Sequence, residues 1–373
     1  FKKETRYKNM INKKKIGALV LAGTMLLSMG TGVFAAENID IPNVNGQDGV
    51  KITKNFVMAD GLAIPQATFK FQVTSRTPDA LSATIQDISY DANDNDIKIK
   101  QTDGSYVISK DQKLSFEGNW QHAGEYVYEV TETQDPANKV KNVTYDSSEY
   151  MLRVYVVNKN DNLEVEKITA EKAGTKTAKI LFTNTYAKND ATLIIKKKTT
   201  GTYANKTQQF DFTIAFTKSP TESTLGEFNG TITRKGNNTS EPVTTNNGSY
   251  NFKLADGDKL QFTDLPVGTT YVVTENGAKD DYTPSVTVIE NAKETVKDRV
   301  AQNEEQALST QQENGERNLI GENTNEVTFT NTYKTVAVTG VIMNNLPFIL
   351  LVAVAIVAFV SLAVIKRRRT SGK

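Results

Sequence analysis

The chain has 373 residues, 38% of them hydrophobic, which is enough for two domains of ordinary size. Its 44 basic and 43 acidic residues leave a formal net charge of +1, so no global field draws it to nucleic acid or to an acidic surface. Cysteine is absent and His122 is the single histidine, which excludes disulfides, thiol nucleophiles, imidazole triads and in practice zinc sites; no metal or cofactor is expected.

A secretory signal reads from Met10. Lys13, Lys14 and Lys15 form its charged segment, residues 16–29 its apolar stretch, and Val33, Phe34 and Ala35 precede a cut at Ala36, so 10–35 is a signal peptide and the mature chain is exported. Between 49 and 334, short alternating strands are broken by Gly, Asn, Asp and Pro. This pattern predicts an all-β chain of two tandem Ig-like antiparallel β-sandwiches, 49–187 and 190–334. Matching pieces recur in the same order in both halves: Phe69-Lys70-Phe71 with Phe210-Asp211-Phe212, Val130-Thr131-Glu132 with Val273-Thr274-Glu275, and Phe-Thr-Asn-Thr-Tyr verbatim at 182–186 and 329–333. The joint at 187–190 is too short for a free linker, so the modules should sit end to end. Residues 291–326 are polar, with scattered Val296, Val300 and Leu308, and read as a surface excursion with a helical turn or two.

Near the C-terminus, 346–365 is an apolar run long enough to cross a bilayer as a helix, and Lys366, Arg367, Arg368 and Arg369 follow it. On hydropathy alone this is the anchor of a type I membrane protein. Thr339-Gly340 just before the span and a basic tail at 366–373 resemble a Gram-positive cell-wall sorting signal covering 336–373. In such signals a sortase cysteine attacks the threonine carbonyl. The motif here, Val336-Ala337-Val338-Thr339-Gly340, keeps the Thr-Gly and has no proline.

Three polar residues recur at matched spacing in the two halves: Lys54, Glu132 and Asn184, then Lys197, Glu275 and Asn331. Lysine to glutamate is 132 − 54 = 78 residues in one copy and 275 − 197 = 78 in the other; glutamate to asparagine is 184 − 132 = 52 and 331 − 275 = 56. Side chains alternate between the faces of a strand, so Val50, Ile52, Lys54 and Phe56 share one face, as do Leu193, Ile195 and Lys197. The same stepping puts Glu132, Glu275, Asn184 and Asn331 on core faces. Unpartnered buried charges and amides cost several kcal/mol each, about 2–7 for an amide, so the groups must meet. One reading is a structural salt bridge with an asparagine hydrogen bond. The other is an amide formed by attack of the lysine amine on the asparagine side-chain carbonyl, assisted by the glutamate. Burial lowers a lysine pKa and raises that of a carboxyl, which supplies both a nucleophile and an acid.

These residues resemble the T-antigen type of streptococcal major pilin, built from two isopeptide-forming Ig-like modules. The signs are Ile52-Thr53-Lys54-Asn55 and Ile195-Lys196-Lys197-Lys198 in the first strands, the Val-Thr-Glu strands and the Phe-Thr-Asn endings. The resemblance implies bonds from Lys54 to Asn184 with Glu132 catalytic, and from Lys197 to Asn331 with Glu275 catalytic. It further implies a covalent homopolymer on the cell surface, in which Thr339 is transferred to a lysine of the next subunit. That acceptor lies shortly before the last strand of the first module, where Gly174-Thr175-Lys176 offers Lys176, with Lys179 as a rival. The partners implied are other copies of the chain, a pilus sortase, minor pilins and peptidoglycan, and not nucleic acid. A wall-anchored monomeric adhesin binding a host surface ligand is the reading from another class. A surface hydrolase finds no Ser-His-Asp set, cysteine nucleophile or metal cluster in this sequence.

Overall fold

The computed structural model describes residues 50–134, 139–236, 239–334 and 348–362. The signal segment 10–35, the motif 336–340 with Thr339 and Gly340, and the basic tail 366–373 lie outside the described residues.

Alternation of apolar and polar residues makes each segment a strand with one wet and one dry face. In Lys51–Met58 every second residue from Ile52 to Met58 is buried, and in Ala191–Thr200 every second residue from Ala191 to Thr199. The first sandwich comprises β1 (Lys51–Met58), β2 (Ala67–Ser75), β3 (Ser82–Ile85), β4 (Ile88–Tyr90), β5 (Ile99–Lys100), β6 (Tyr106–Glu117), β7 (Gly124–Thr133), β8 (Val143–Thr144), β9 (Glu149–Lys159), β10 (Asn162–Lys172), β11 (Thr175–Thr177) and β12 (Ile180–Tyr186). One sheet has the order β3-β6-β1-β12-β8, with β5 on β6; the facing sheet has the order β11-β10-β9-β7-β2-β4.

The second sandwich comprises β13 (Ala191–Thr200), β14 (Phe210–Thr217), β15 (Asn229–Thr233), β16 (Ser240–Thr244), β17 (Ser249–Leu254), β18 (Lys259–Leu265), β19 (Thr270–Glu275), β20 (Tyr282–Glu290), β21 (Lys293–Val300), β22 (Leu308–Ser309), β23 (Asn318–Leu319) and β24 (Asn325–Tyr333). Its sheets run β16-β15-β18-β13-β24-β20-β21 and β17-β14-β19-β22, with β23 also on β19. The chain is thus two tandem Ig-like sandwiches. In each, the first and last strands pair in parallel, β1 with β12 and β13 with β24, while the other pairings are antiparallel.

The two sandwiches differ in where one hairpin goes. In the first, the chain leaves β8 and crosses to build β9 and β10 on the facing sheet; in the second, β20 and β21 stay beside β24. The helical turns expected within 291–326 are not there. That stretch forms the edge strand β21, mostly exposed and rich in charge as suits a sheet edge, followed by β22 and β23. Leu308 and Ile320 enter the core, so the sparse apolar positions are enough to fasten an otherwise polar segment.

Within each core, one phenylalanine of the second strand packs on the phenylalanine two residues before the key asparagine. Phe71 meets Phe182 with ring centroids 5.3 Å apart, and Phe212 meets Phe329 at 5.2 Å. Such pairs add about 0.5–1.5 kcal/mol beyond their area and fix the register of the last strand against the opposite sheet.

The joint between the sandwiches is close. Glu322 N–H donates to Gly61 O at 3.1 Å, and the Glu322 carboxylate accepts Ala63 N–H at 2.9 Å and faces Lys188 Nζ at 3.4 Å. Glycine is needed at two of the contacts: a β-carbon on Gly61 would lie 2.8 Å from Gly321 Cα, and one on Gly268 only 2.4 Å from the β-carbon of Ala59.

Residues 348–362 form an exposed helix within the apolar run 346–365. Among the described residues no helix is long and apolar enough to cross a membrane, and the rest of the run 346–365 lies outside the described residues.

Gly268→Ala adds a methyl at the joint against Ala59, and Gly268 has a positive φ of 89° that disfavours alanine as well. Small-angle scattering should then show a broader spread of distances between the sandwiches. An unchanged profile would mean that this contact does not hold them.

Candidate functional site

The six polar residues singled out by spacing are brought together in two buried clusters, one at the centre of each sandwich. Lys54 and Asn184 come from adjacent parallel strands of one sheet, with Lys54 in register with Phe182 and Phe56 with Asn184, so lysine and asparagine are two positions apart along the pair. Glu132 reaches them from β7 in the facing sheet. The second cluster repeats this plan: Lys197 is in register with Phe329, Thr199 with Asn331, and Glu275 comes from β19 opposite.

In the first cluster Lys54 Nζ donates to Glu132 Oε2 at 2.8 Å, and Asn184 Nδ2 donates to Glu132 Oε1 at 2.7 Å. The carboxylate therefore bridges the other two groups, and neither side chain of the ion pair retains any accessible surface. The asparagine oxygen is held as well, for Asp146 N–H donates to Asn184 Oδ1 at 2.8 Å. Lys54 Nζ also lies 4.8 Å from the centre of the Phe69 ring, and the Tyr90 hydroxyl donates to the Lys54 carbonyl at 2.7 Å.

In the second cluster both partners converge on one oxygen. Asn331 Nδ2 donates to Glu275 Oε1 at 2.7 Å, and Lys197 Nζ stands 3.0 Å from that same oxygen. The lysine contact is short but poorly aligned: Lys197 Nζ, Glu275 Oε2 and Asn331 Oδ1 all lack a well-formed hydrogen bond although buried. We therefore read it as a close ion contact and not as a directed bond. Phe210, the counterpart of Phe69, places its ring centre 4.4 Å from Lys197 Nζ, and Phe212 lies at 5.8 Å.

Electrostatics follow from this enclosure. Burial lowers the pKa of Lys54 from 10.5 to about 8 against the opposing pull of Glu132, and burial lowers that of Lys197 to about 8 against Glu275. Burial likewise raises the Glu132 carboxyl above its usual range, although Lys54 and Asn184 oppose the rise. In the first cluster both partners are pushed toward their neutral forms. An amine, a carboxylic acid and a carboxamide in contact away from water have the groups needed for acyl transfer to nitrogen.

The sequence reading missed Asp146, Phe69 and Phe210 as members of these clusters. The matched Phe-x-Phe segments carried a signal for the two rings; Asp146, in a turn after a two-residue strand, carried none beyond its Asp-Ser-Ser run. Lys176 lies on the exposed edge strand β11, opposite Glu171 of β10, and Lys179 is exposed between β11 and β12. Both are open to another protein.

Residues 49–187 match the family model of the Spy0128-like isopeptide containing domain, and residues 191–333 match that of a domain of unknown function. A pilin of Streptococcus pyogenes serotype M1 is 28% identical over 351 residues, covering 92% of this chain and 96% of that protein. The chain resembles the T-antigen-type major pilins. A second relative, the pilus tip adhesin Cpa of Streptococcus pyogenes, is 35% identical over 88 residues, which is 24% of this chain and 12% of the adhesin. The crystal structure of the major pilin from Streptococcus pyogenes aligns with 76% of this pilin relative and 98% of that chain at 26% identity, with a TM-score of 0.35. The matches to a pilin and to an isopeptide containing domain support a pilus subunit.

Removing one member of a buried pair leaves the other charge uncompensated, at a cost of about 3–5 kcal/mol. Glu132→Ala should therefore lower the melting temperature of the first sandwich. Adding Lys54→Met to that variant should recover part of the loss, because the stranded ammonium is then gone. A double variant no more stable than Glu132→Ala would show that Lys54 is not held in a dry site.

Proposed function

We propose that the chain is the backbone subunit of a Gram-positive pilus, polymerised covalently by a sortase and stiffened by one lysine–asparagine isopeptide bond in each sandwich. The observation that carries this reading is the repeated contact of an amine, a carboxyl and a carboxamide in two dry interiors, in a chain whose relatives are pilins.

In the first module the proton passes from Lys54 to Glu132, giving a neutral amine and a carboxylic acid. Nζ attacks Cγ of Asn184, and the bond from Cγ to Nδ2 breaks as Glu132, whose Oε1 already faces Nδ2, carries a lysine proton to the departing nitrogen. One C–N bond forms, one breaks, and ammonia leaves. Glu132 is left as the neutral acid, holding the proton it first took from Lys54, and each event is a single self-maturation. Lys197, Glu275 and Asn331 perform the same steps in the second module. Strand pairing holds the reactants in contact, which replaces much of the entropic barrier.

The first cross-link would close a loop of 184 − 54 = 130 residues, worth about 5 kcal/mol by the loop-entropy relation used for disulfides. Its mechanical effect is larger. Because β1 and β12 are neighbours running parallel, tension entering one would leave through the other by a covalent path. Outside the sandwiches, we assign 10–35 to a signal peptide and 336–373 to a sorting signal, with the sortase acting between Thr339 and Gly340 and transferring Thr339 to Lys176 or Lys179. The product would stand on the cell surface, joined to copies of itself and to minor pilins, and at its base to peptidoglycan. In the adhesin reading, which the short match to a tip adhesin favours, the chain would instead remain a single-length wall species.

Intact mass of the purified protein should be lower than the sequence mass by two ammonias, and Glu132→Ala or Glu275→Ala should each restore one. An unshifted wild-type mass would sink the cross-links. Boiling-resistant ladders that vanish in Thr339→Ala should accompany polymerisation; a wall species of one length would favour the adhesin.

The pH profile tests the role of the carboxyl. Ammonium with carboxylate and amine with carboxylic acid hold the same single shared proton, so their exchange needs none from solvent. Bond formation should stay near its maximum around neutrality and fall as pH rises past about 8, where the lysine and with it the pair loses that proton. A rate that keeps rising above pH 8 would mean that only the free amine matters.

A further inference from the structure

The two clusters differ at the asparagine oxygen. In the first, Asn184 Oδ1 accepts Asp146 N–H at 2.8 Å. The Asp146 carboxylate in turn accepts Thr183 N–H at 2.7 Å through one oxygen and Ser148 N–H at 2.8 Å through the other, which ties the turn to the strand that carries Asn184. Burial would raise the pKa of Asp146, but the Ser148 side chain, the Thr183 and Ser148 N–H groups and the charge of Lys172 outweigh it and hold it below its usual value. In the second cluster Asn331 Oδ1 is buried with no donor among the described residues.

Topology explains the difference. β8 ends with Thr144 opposite Thr185, and there the chain turns away to reach β9 on the facing sheet, so the next amides are released from the ladder. In the second sandwich β20 runs on past this point: Pro284, which has no N–H, stands opposite Asn331, and Ser285 is in ladder register with Thr330. No turn comparable to the one at Asp146 interrupts that strand.

We propose that the Asp146 backbone N–H is an oxyanion donor for the first isopeptide bond, that the Asp146 side chain is the positioning residue holding it there, and that the first module therefore matures faster than the second. The inference rests on the isopeptide reading of the clusters. When Nζ attacks Cγ, the electron pair of the carbonyl moves onto Oδ1, and the charge reverts to the carbonyl as Nδ2 leaves with ammonia. A fixed N–H aimed at that oxygen in a dry interior stabilises the charge without reorganising, whereas Asn331 Oδ1 meets no such donor. Removal of one oxyanion donor from an enzyme costs about 100- to 1000-fold in rate; here the turn keeps other attachments, so the expected loss is smaller, at least about ten-fold.

The test uses the full chain made by cell-free translation, with samples quenched in denaturant over time, digested, and the two cross-linked peptides quantified by mass spectrometry. In wild type the peptide joining Lys54 to Asn184 should accumulate ahead of the one joining Lys197 to Asn331. Asp146→Ala should slow only the first, by at least about ten-fold, while Asp146→Asn, whose single carbonyl oxygen keeps an acceptor for one of the two N–H groups, should restore part of the rate. Rescue by asparagine separates positioning from a need for the charge. Equal wild-type rates in the two modules, or Asp146→Ala at the wild-type rate, would overturn the oxyanion role and leave the isopeptide reading standing. Absence of both cross-linked peptides at all times would overturn both. If Asp146→Ala leaves the first sandwich unfolded by circular dichroism, the wild-type comparison between modules decides.

Discussion

Two opposite charges can be enclosed between apolar sheets only if each neutralises the other, and each sandwich is arranged around that requirement. Isolated, a buried ammonium or carboxylate would cost several kcal/mol, more than a single core contact returns. Contact with Glu132 offsets the cost for Lys54, and the asparagine amide occupies the second carboxylate oxygen. The aromatic rings of Phe69 and Phe210 close the remaining side, offering a weakly favourable surface to a cation while keeping water out. An ion pair in such a place is a poor source of stability. Its persistence in both halves fits the proposed chemistry, which would consume the ammonium and leave the glutamate as a neutral acid.

The strands that supply the three groups also set the mechanical logic. Parallel pairing of the first and last strands places the chain's entry and exit side by side, and this arrangement alone puts a lysine and an asparagine two register positions apart. The glutamate must come from the facing sheet, because a neighbour in the same sheet would project its side chain alongside and not onto the pair. A covalent tie between those two strands would shield the β-ladder of the rest of the module from load. The close joint at Gly61, Gly268 and Gly321 extends the same principle to the junction, where main-chain contact leaves little room for rocking.

Much of this could be read in the amino-acid order because alternation is a strict code. Lys54 between Ile52 and Phe56, and Asn184 between Phe182 and Tyr186, are polar residues at positions where period two demands burial. Matched spacing in a duplicated sequence then argued that they meet. Other features were invisible for physical reasons. Which sheet a hairpin joins depends on one turn: Asn162–Lys172 and Lys293–Val300 are similar polar strands, yet they sit on opposite sides of their sandwiches. The stretch 291–326 looked like a surface excursion because few of its residues are apolar, but buried Asn318 and Asn325 make the hydrogen bonds that apolar packing would otherwise replace. Asp146 acts through its main-chain N–H, and no side-chain pattern announces that.

The comparison of the two halves shows how little of the sandwich the site constrains. One module has two six-stranded sheets and the other sheets of seven and five strands, and a whole hairpin has changed sides. Yet the phenylalanine pairs that set the last strand differ by only 0.1 Å, at 5.3 and 5.2 Å, and each glutamate lies within hydrogen-bonding distance of its asparagine at 2.7 Å. Three strands and the packing pair that aligns them are enough to hold the three polar groups together. The remaining strands are free to change with the surface they present, provided that they keep water out. The relocated hairpin is the one change that reaches the site, because it decides whether a main-chain N–H stays in the ladder or turns to face the asparagine oxygen.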